Sequence, residues 1–181
     1  MKTQRNIALL VLAFGMICIS FTGAKLKTIV PYIGVEKEIV LGTSTKQSLE
    51  KKFGGDYKTL SYYTKWNNNH DSMLFSTAMV YETLGLKFFF KPGNDHLFAA
   101  YFYKNYPGAT VKGIQAGVST LGDVERAYGK TGWINTVNSI SLGYDGIYFN
   151  VTLADSFKAT DEAMEKAKLL KVEYISVELP Q

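Results

Sequence analysis

The chain has 181 residues, with 20 Lys+Arg, 16 Asp+Glu and a single cysteine, Cys18. Met1–Ala24 holds two of the bases and none of the acids, so without it 18 bases face 16 acids and the formal charge falls from +4 to +2. That near-balance excludes a polycation that wraps nucleic acid. Past Ala24 there is no cysteine, which excludes disulfides and thiolate catalysis and leaves stability to a hydrophobic core.

Met1–Ala24 has the three parts of a secretory signal. Lys2 and Arg5 come first, then the uncharged run Ile7–Ile19, then the small-residue tail Ser20-Phe21-Thr22-Gly23-Ala24. Cleavage after Ala24 is expected, giving an exported chain, periplasmic or secreted. The apolar run is shorter than the about 20 residues a membrane helix needs, so no integral membrane segment is expected after signal removal; Lys25 and Lys27, which follow it, leave an uncleaved anchor as the alternative. Bulky Met16 and Ile17 precede Cys18 where lipid-attachment sites carry small residues.

Two stretches further on match each other. "GTSTKQSLEKKFG" (Gly42–Gly54) and "GVSTLGDVERAYG" (Gly117–Gly129) are identical at five of thirteen positions. Each reads as a short helix. Ser or Thr after a glycine caps the free amides, Thr120 with Asp123 forms a capping-box pattern, and the closing glycine suits a helix end. Leu49 with Phe53, and Val124 with Tyr128, lie four apart and share one face, which must be buried.

Strand chemistry follows each helix. In the first unit it runs Phe75–Tyr81, then "GLKFFFK" from Gly85, the turn Pro92-Gly93-Asn94-Asp95, and "LFAAYFYK" from Leu97. The second has Ser139–Tyr144, a tight Asp145-Gly146 turn, "IYFNVTL" from Ile147, a helix over Asp161–Leu170 and "VEYISVEL" from Val172. Asp56–Asp71 reads as extra residues ahead of the first unit's strands. The predicted fold is therefore α+β, with two tandem repeats, each a short helical segment packed on one face of an antiparallel sheet. The first repeat covers 25–106, the second 107–181, and Tyr106-Pro107-Gly108 is the joint.

The duplicated pattern "G-x-S-T-x-x-x-L/V-E-x-x-F/Y-G", followed each time by a "Gly-apolar-x-Phe" strand, resembles the tandem β-lactamase-inhibitor-protein-like (BLIP-like) fold. It also resembles the single-unit relatives of that fold, the small outer-membrane-assembly lipoproteins. The likeness spans Ile39–Leu179 and implies helices on one face of an antiparallel sheet in a non-catalytic secreted or periplasmic binding protein. The chain departs from those families in lacking a lipid-attachment motif and the inhibitor's disulfides.

Two strings suggest chemistry. Gly129-Lys130-Thr131 has the tail of a phosphate loop, but such a loop needs a glycine five positions earlier, where Val124 stands, and a strand leading in where a helix does. Ser48-x-x-Lys51, Tyr103-x-Asn105 and Lys130-Thr131-Gly132 occur in the order used by penicillin-recognising enzymes. A small serine acyl-enzyme is thus the enzymatic alternative, and an envelope structural protein the other. Against the enzyme, Ser48 aligns inside a helix rather than at its start, and the triplet follows a helix-ending glycine. The only histidines, His70 and His96, sit with Asp71 and Asp95 in turn-rich clusters that need no ligand, so no metal or cofactor is expected. Asn150-Val151-Thr152 matches a glycan acceptor but falls inside a predicted strand.

Strand alternation assigns faces. Leu86, Phe88 and Phe90 face the helices, as do Phe98, Ala100 and Phe102, then Ile147, Phe149 and Val151, then Ile175 and Val177. Phe89, Tyr101, Tyr103, Tyr148 and Tyr174 face away. Tyrosine offers a large contact area with a polar tip and is favoured at recognition surfaces, so these five are the expected binding face for an unidentified protein or envelope partner.

Overall fold

A computed structural model describes residues 27–35, 37–65, 72–136, 138–153 and 160–180. Met1–Ala24, expected to be a signal segment, and His70 with Asp71, lie outside the described residues. The elements begin with β1 (Lys27–Val30), β2 (Gly34–Val35) and β3 (Ile39–Val40), then α1 (Lys46–Phe53), β4 (Lys58–Lys65), β5 (Ser72–Tyr81), β6 (Leu86–Phe90) and β7 (Leu97–Tyr103). They continue with β8 (Gly108–Thr110), α2 (Leu121–Tyr128), β9 (Trp133–Asn135), β10 (Ser139–Tyr144), β11 (Ile147–Thr152), α3 (Asp161–Ala167) and β12 (Tyr174–Glu178). The protein is mixed α+β.

One eight-stranded sheet has the order β4-β5-β6-β7-β12-β11-β10-β9, antiparallel throughout. β7 and β12 meet in its middle, from Ala99↔Glu178 to Tyr103↔Tyr174. A four-stranded sheet, β3-β2-β1-β8, carries the N-terminal segment, and its β1–β8 pair is parallel. Inward side chains of the large sheet form one continuous core with the helices. Phe88, Phe90, Phe102, Ile140, Phe149 and Ile175 lie there with Leu49, Leu121 and Val124, while Phe53 and Tyr128 pack against its margin.

The same local solution occurs at α1 and α2. Thr45 and Thr120 cap the helices, each accepting from the amide three residues on, and each N-cap amide donates back to the side chain there, Ser48 Oγ at 2.8 Å and Asp123 Oδ2 at 2.7 Å. Gly54 and Gly129 end the helices at φ of 89° and 92°, a region that favours glycine. A tyrosine then closes each end: Tyr81 Oη donates to the Gly54 carbonyl at 2.9 Å, and Tyr144 Oη to that of Gly129 at 2.6 Å. Each lead-in also bonds in the same way where a central strand begins, at the first residue of β7 or two residues ahead of β12. Gly42 N donates to Leu97 O while Leu97 N donates to Ser44 O, and Gly117 with Ser119 repeats that exchange with Val172. Beneath the helices, Phe53, Tyr81 and Phe88 form one ring cluster and Tyr128, Tyr144 and Phe149 the other.

Three expectations need correction. Asp56–Asp71 is not merely an insertion, because Lys58–Lys65 is the edge strand β4, whose side chains are largely exposed and so carry no burial pattern. Phe98 does not face the helices. A bulge between Phe89/Phe90 shifts the register so that Phe90 pairs with Leu97 and Phe89 with Ala99, which turns Phe98 onto the outer face with Phe89. The third helix stops at Ala167, three residues short of the predicted end. The Tyr106–Gly108 joint is tied into the fold: Tyr106 is buried against Phe102 with ring centroids 5.0 Å apart, and Gly108 begins β8.

Candidate aromatic sheet face

The face of the large sheet opposite the helices is built by alternation and register. On β6, Lys87 and Phe89 point outward. On β7 the outward positions are Phe98 and Ala99, through the bulge, and then Tyr101 and Tyr103, while Tyr174, Ser176 and Glu178 face out from β12. Because Tyr174 pairs directly with Tyr103 and sits diagonal to Tyr101, all three rings meet. Tyr101 stacks on Tyr174 at 5.1 Å and 17°, and Tyr103 lies 5.1 Å from Tyr174. Phe89 joins the far side of Tyr101 at 4.5 Å, and Tyr62 of β4 lies 5.7 Å beyond Phe89. The result is a ladder of rings, Tyr62–Phe89–Tyr101–Tyr174–Tyr103, drawn from four strands and spanning five, since β5 lies between β4 and β6.

Ring packing has a cost in exposure: Phe89, though outward, is only 8% exposed, and Ala78 and Ala99 beside it are buried. The Lys87 ammonium sits 5.0 Å from the Tyr62 ring centre and 5.2 Å from that of Phe89, where the ring faces attract a cation. Tyr101 Oη donates to Glu178 Oε1 at a long 3.5 Å. Burial raises the pKa of the Tyr101, Tyr103 and Tyr174 hydroxyls, so they remain neutral donors, and burial also raises Glu178, against which the Tyr101 bond acts.

The structure brings four of the five expected residues together and sets Tyr148 aside. It pairs with Gly143 and Ser176, its ring lies over Gly143, and it lines a hollow of about 270 Å³ with Tyr32, Gly146, Glu178, Leu179 and Pro180. Between Tyr148 and the ladder runs a buried polar group. Ser141 Oγ donates to Asn150 Oδ1 at 2.7 Å, and Asn150 Nδ2 donates to Ser176 Oγ at 3.3 Å. Asn150 is therefore engaged inside the sheet and unavailable as a glycan acceptor in the folded chain. Sequence reasoning missed Tyr62, Phe98, Lys87 and Glu178. Lys87 and Glu178 had a local signal, the one two residues before Phe89 and the other four after Tyr174, and so on the same face.

The other motifs fall elsewhere. Ser48 is the third residue of α1 and its hydroxyl donates to Thr45 O at 2.9 Å, so it lies on the helical side of the sheet while Tyr103 lies on the other. Lys130-Thr131-Gly132 is a connection between α2 and β9, in which Thr131 Oγ1 donates to Gly143 O. At the turn before β7, the His96 amide donates to Asn94 Oδ1 at 2.8 Å, the turn chemistry read from the sequence. No helix among the described residues is long and apolar enough to cross a membrane. No family model, curated protein or solved structure matches this chain.

Proposed function

We propose that the chain is an exported, non-enzymatic binding module, made of two copies of one helix-on-sheet unit of the β-lactamase-inhibitor-protein-like kind. It holds a protein or cell-envelope partner on its aromatic sheet face. The duplication is supported by the matched caps, helix-end glycines and closing tyrosines at α1 and α2. The observation that carries the binding reading is the ring ladder itself. Tyr101 and Tyr103 come from one half and Tyr174 from the other, and they interlock at the β7–β12 junction, so a partner seated there touches both units at once. Rings held by one another lose little freedom on binding, and their polar tips tolerate water when the face is empty.

The test is crosslinking capture from the organism's own envelope by the mature protein. Truncating a central aromatic at an interface costs about 2 kcal/mol or more, so Tyr101→Ala and Tyr103→Ala lower capture more than about tenfold while circular dichroism and melting remain native-like. Lys46→Ala and Lys168→Ala, on the helical side, leave capture intact. A folded Tyr101→Ala variant that captures as well as wild type refutes the reading.

A further inference from the structure

We infer that a second site, adjoining the aromatic face at Tyr103 and Lys87, seats the carboxylate of a small amphiphilic acid in the wedge where the two central strands part. β7 and β12 cease to pair after Tyr103↔Tyr174. Past that point the β7 chain turns, with Tyr106 N donating to Tyr103 O, while Val172 and Glu173 donate instead to Ser119 O and Asn150 O. The gap between them is a cleft of about 690 Å³, within the roughly 300–1,000 Å³ of small-molecule sites.

The lining of the cleft is largely apolar: Leu86, Val151 and Val172 are buried beneath it, and half-buried Val80 and Tyr103 carry its accessible apolar surface. Three lysines, Lys87, Lys104 and Lys171, stand around it against two acids, Glu82 and Glu173. Glu82 is neutralised by Lys58 at 2.9 Å, whereas Glu173 Oε2 accepts the Thr152 amide at 2.9 Å and keeps its negative charge. Lys104 and Lys171 form no ion pair among the described residues. Lys87 is held over the Tyr62 and Phe89 rings at the outer lip, and the Lys104 stem lies on Gly117, where a Cβ would come within 2.5 Å of it. Three lysines thus face one carboxylate that no other cation among the described residues neutralises, and the cleft is left net positive.

The chemistry selects among anions. Lysines are single-point cations, and the cleft lining contains no arginine to grip a phosphate bidentately. An apolar tail against Val80 and the Tyr103 ring, with one carboxylate reaching Lys104 and Lys171, satisfies both parts of the lining. This site does not depend on the partner-binding role of the ring ladder.

The experiment titrates octanoate and octyltrimethylammonium into the mature protein and follows backbone amide resonances. Octanoate shifts Gly85, Asn105 and Val172 saturably, and the cation of the same tail does not. The double variant Lys104→Glu/Lys171→Glu, both positions being exposed, melts like wild type and weakens octanoate by about tenfold or more. Lys51→Glu, away from the cleft, and Tyr101→Ala bind octanoate as wild type does. Equal binding of both amphiphiles, shifts confined to the sheet face, or undiminished affinity in a folded double variant overturns the proposal.

Discussion

The helix ends of the two halves are closed by the same geometry but different chemistry. At the third position of α1 stands Ser48, a neutral hydroxyl, and the first turn holds no acid; at the same position of α2 stands Asp123, which accepts from the Thr120 amide and hydroxyl and pairs with Arg126. These bonds lower the Asp123 pKa, the Thr120 amide contributing most. The closing tyrosines differ as well, since Tyr81 is 1% exposed with its pKa raised to about 12 by burial, whereas Tyr144 is only partly buried. The bonding pattern is held constant while charge and burial vary. One half therefore has a capping bond without a titrating group, and the other has one that titrates.

The strongest way to break the comparison is in the ring clusters. Phe88 and Phe149 occupy equivalent places and are fully buried, so Phe88→Ala and Phe149→Ala each cost about 3–5 kcal/mol. Because one core cluster spans both halves, each variant melts in a single cooperative step by calorimetry. A two-step melt, with the untouched half keeping its original midpoint, would show that the halves fold independently. A smaller effect sharpens the difference in burial. Tyr81→Phe removes a partly buried bond and costs about 1 kcal/mol, measured by urea denaturation, and Tyr144→Phe, whose bond is exposed, costs less. The reverse order would mean that burial does not set the strength of these closures.

The smallest effect is the pH dependence. A carboxylate whose folded pKa is depressed contributes stability that is fully present above its unfolded value of about 3.9 and is lost as pH falls through the folded value. Asp123→Asn therefore lowers the midpoint slightly at neutral pH and flattens the decline in acid, read from melting curves across the acid range. Ser48→Asp transfers the same behaviour to α1, raising stability at neutral pH but not in strong acid. If Ser48→Asp stabilises equally at both ends of that range, the difference between the two helix starts is not electrostatic.

How much of this was legible in the sequence follows from what local pattern can encode. The helix starts were readable because capping depends on residues three apart, and β6, β7, β10, β11 and β12 were readable because each alternates against a core. β4 was not, since an edge strand with largely exposed side chains has no buried face to impose alternation. β1, β2, β3, β8 and β9 are two to four residues long and exist through distant pairing, as in the parallel β1–β8 pair. On the aromatic face, alternation found the outward tyrosines, but the stack of Tyr101 on Tyr174 depends on register between strands from opposite halves. Phe98 was misassigned because a bulge breaks the count of two. The cleft left no trace in the sequence, because it is made where pairing ends.

The place of β12 has a consequence for how the protein comes into being. This last of the described strands lies fourth from one edge of the large sheet, between β7 and β11. As the chain emerges from N- to C-terminus, β4–β7 and then β9–β11 can form, but each set presents an open inner edge, β7 to one side and β11 to the other, until Tyr174–Glu178 arrives to join them. Unpaired edges of this kind template wrong partners. The nascent chain is most exposed to mispairing just before β12 emerges, and the strand that ends that interval is the one that brings Tyr174 to its place in the ring ladder.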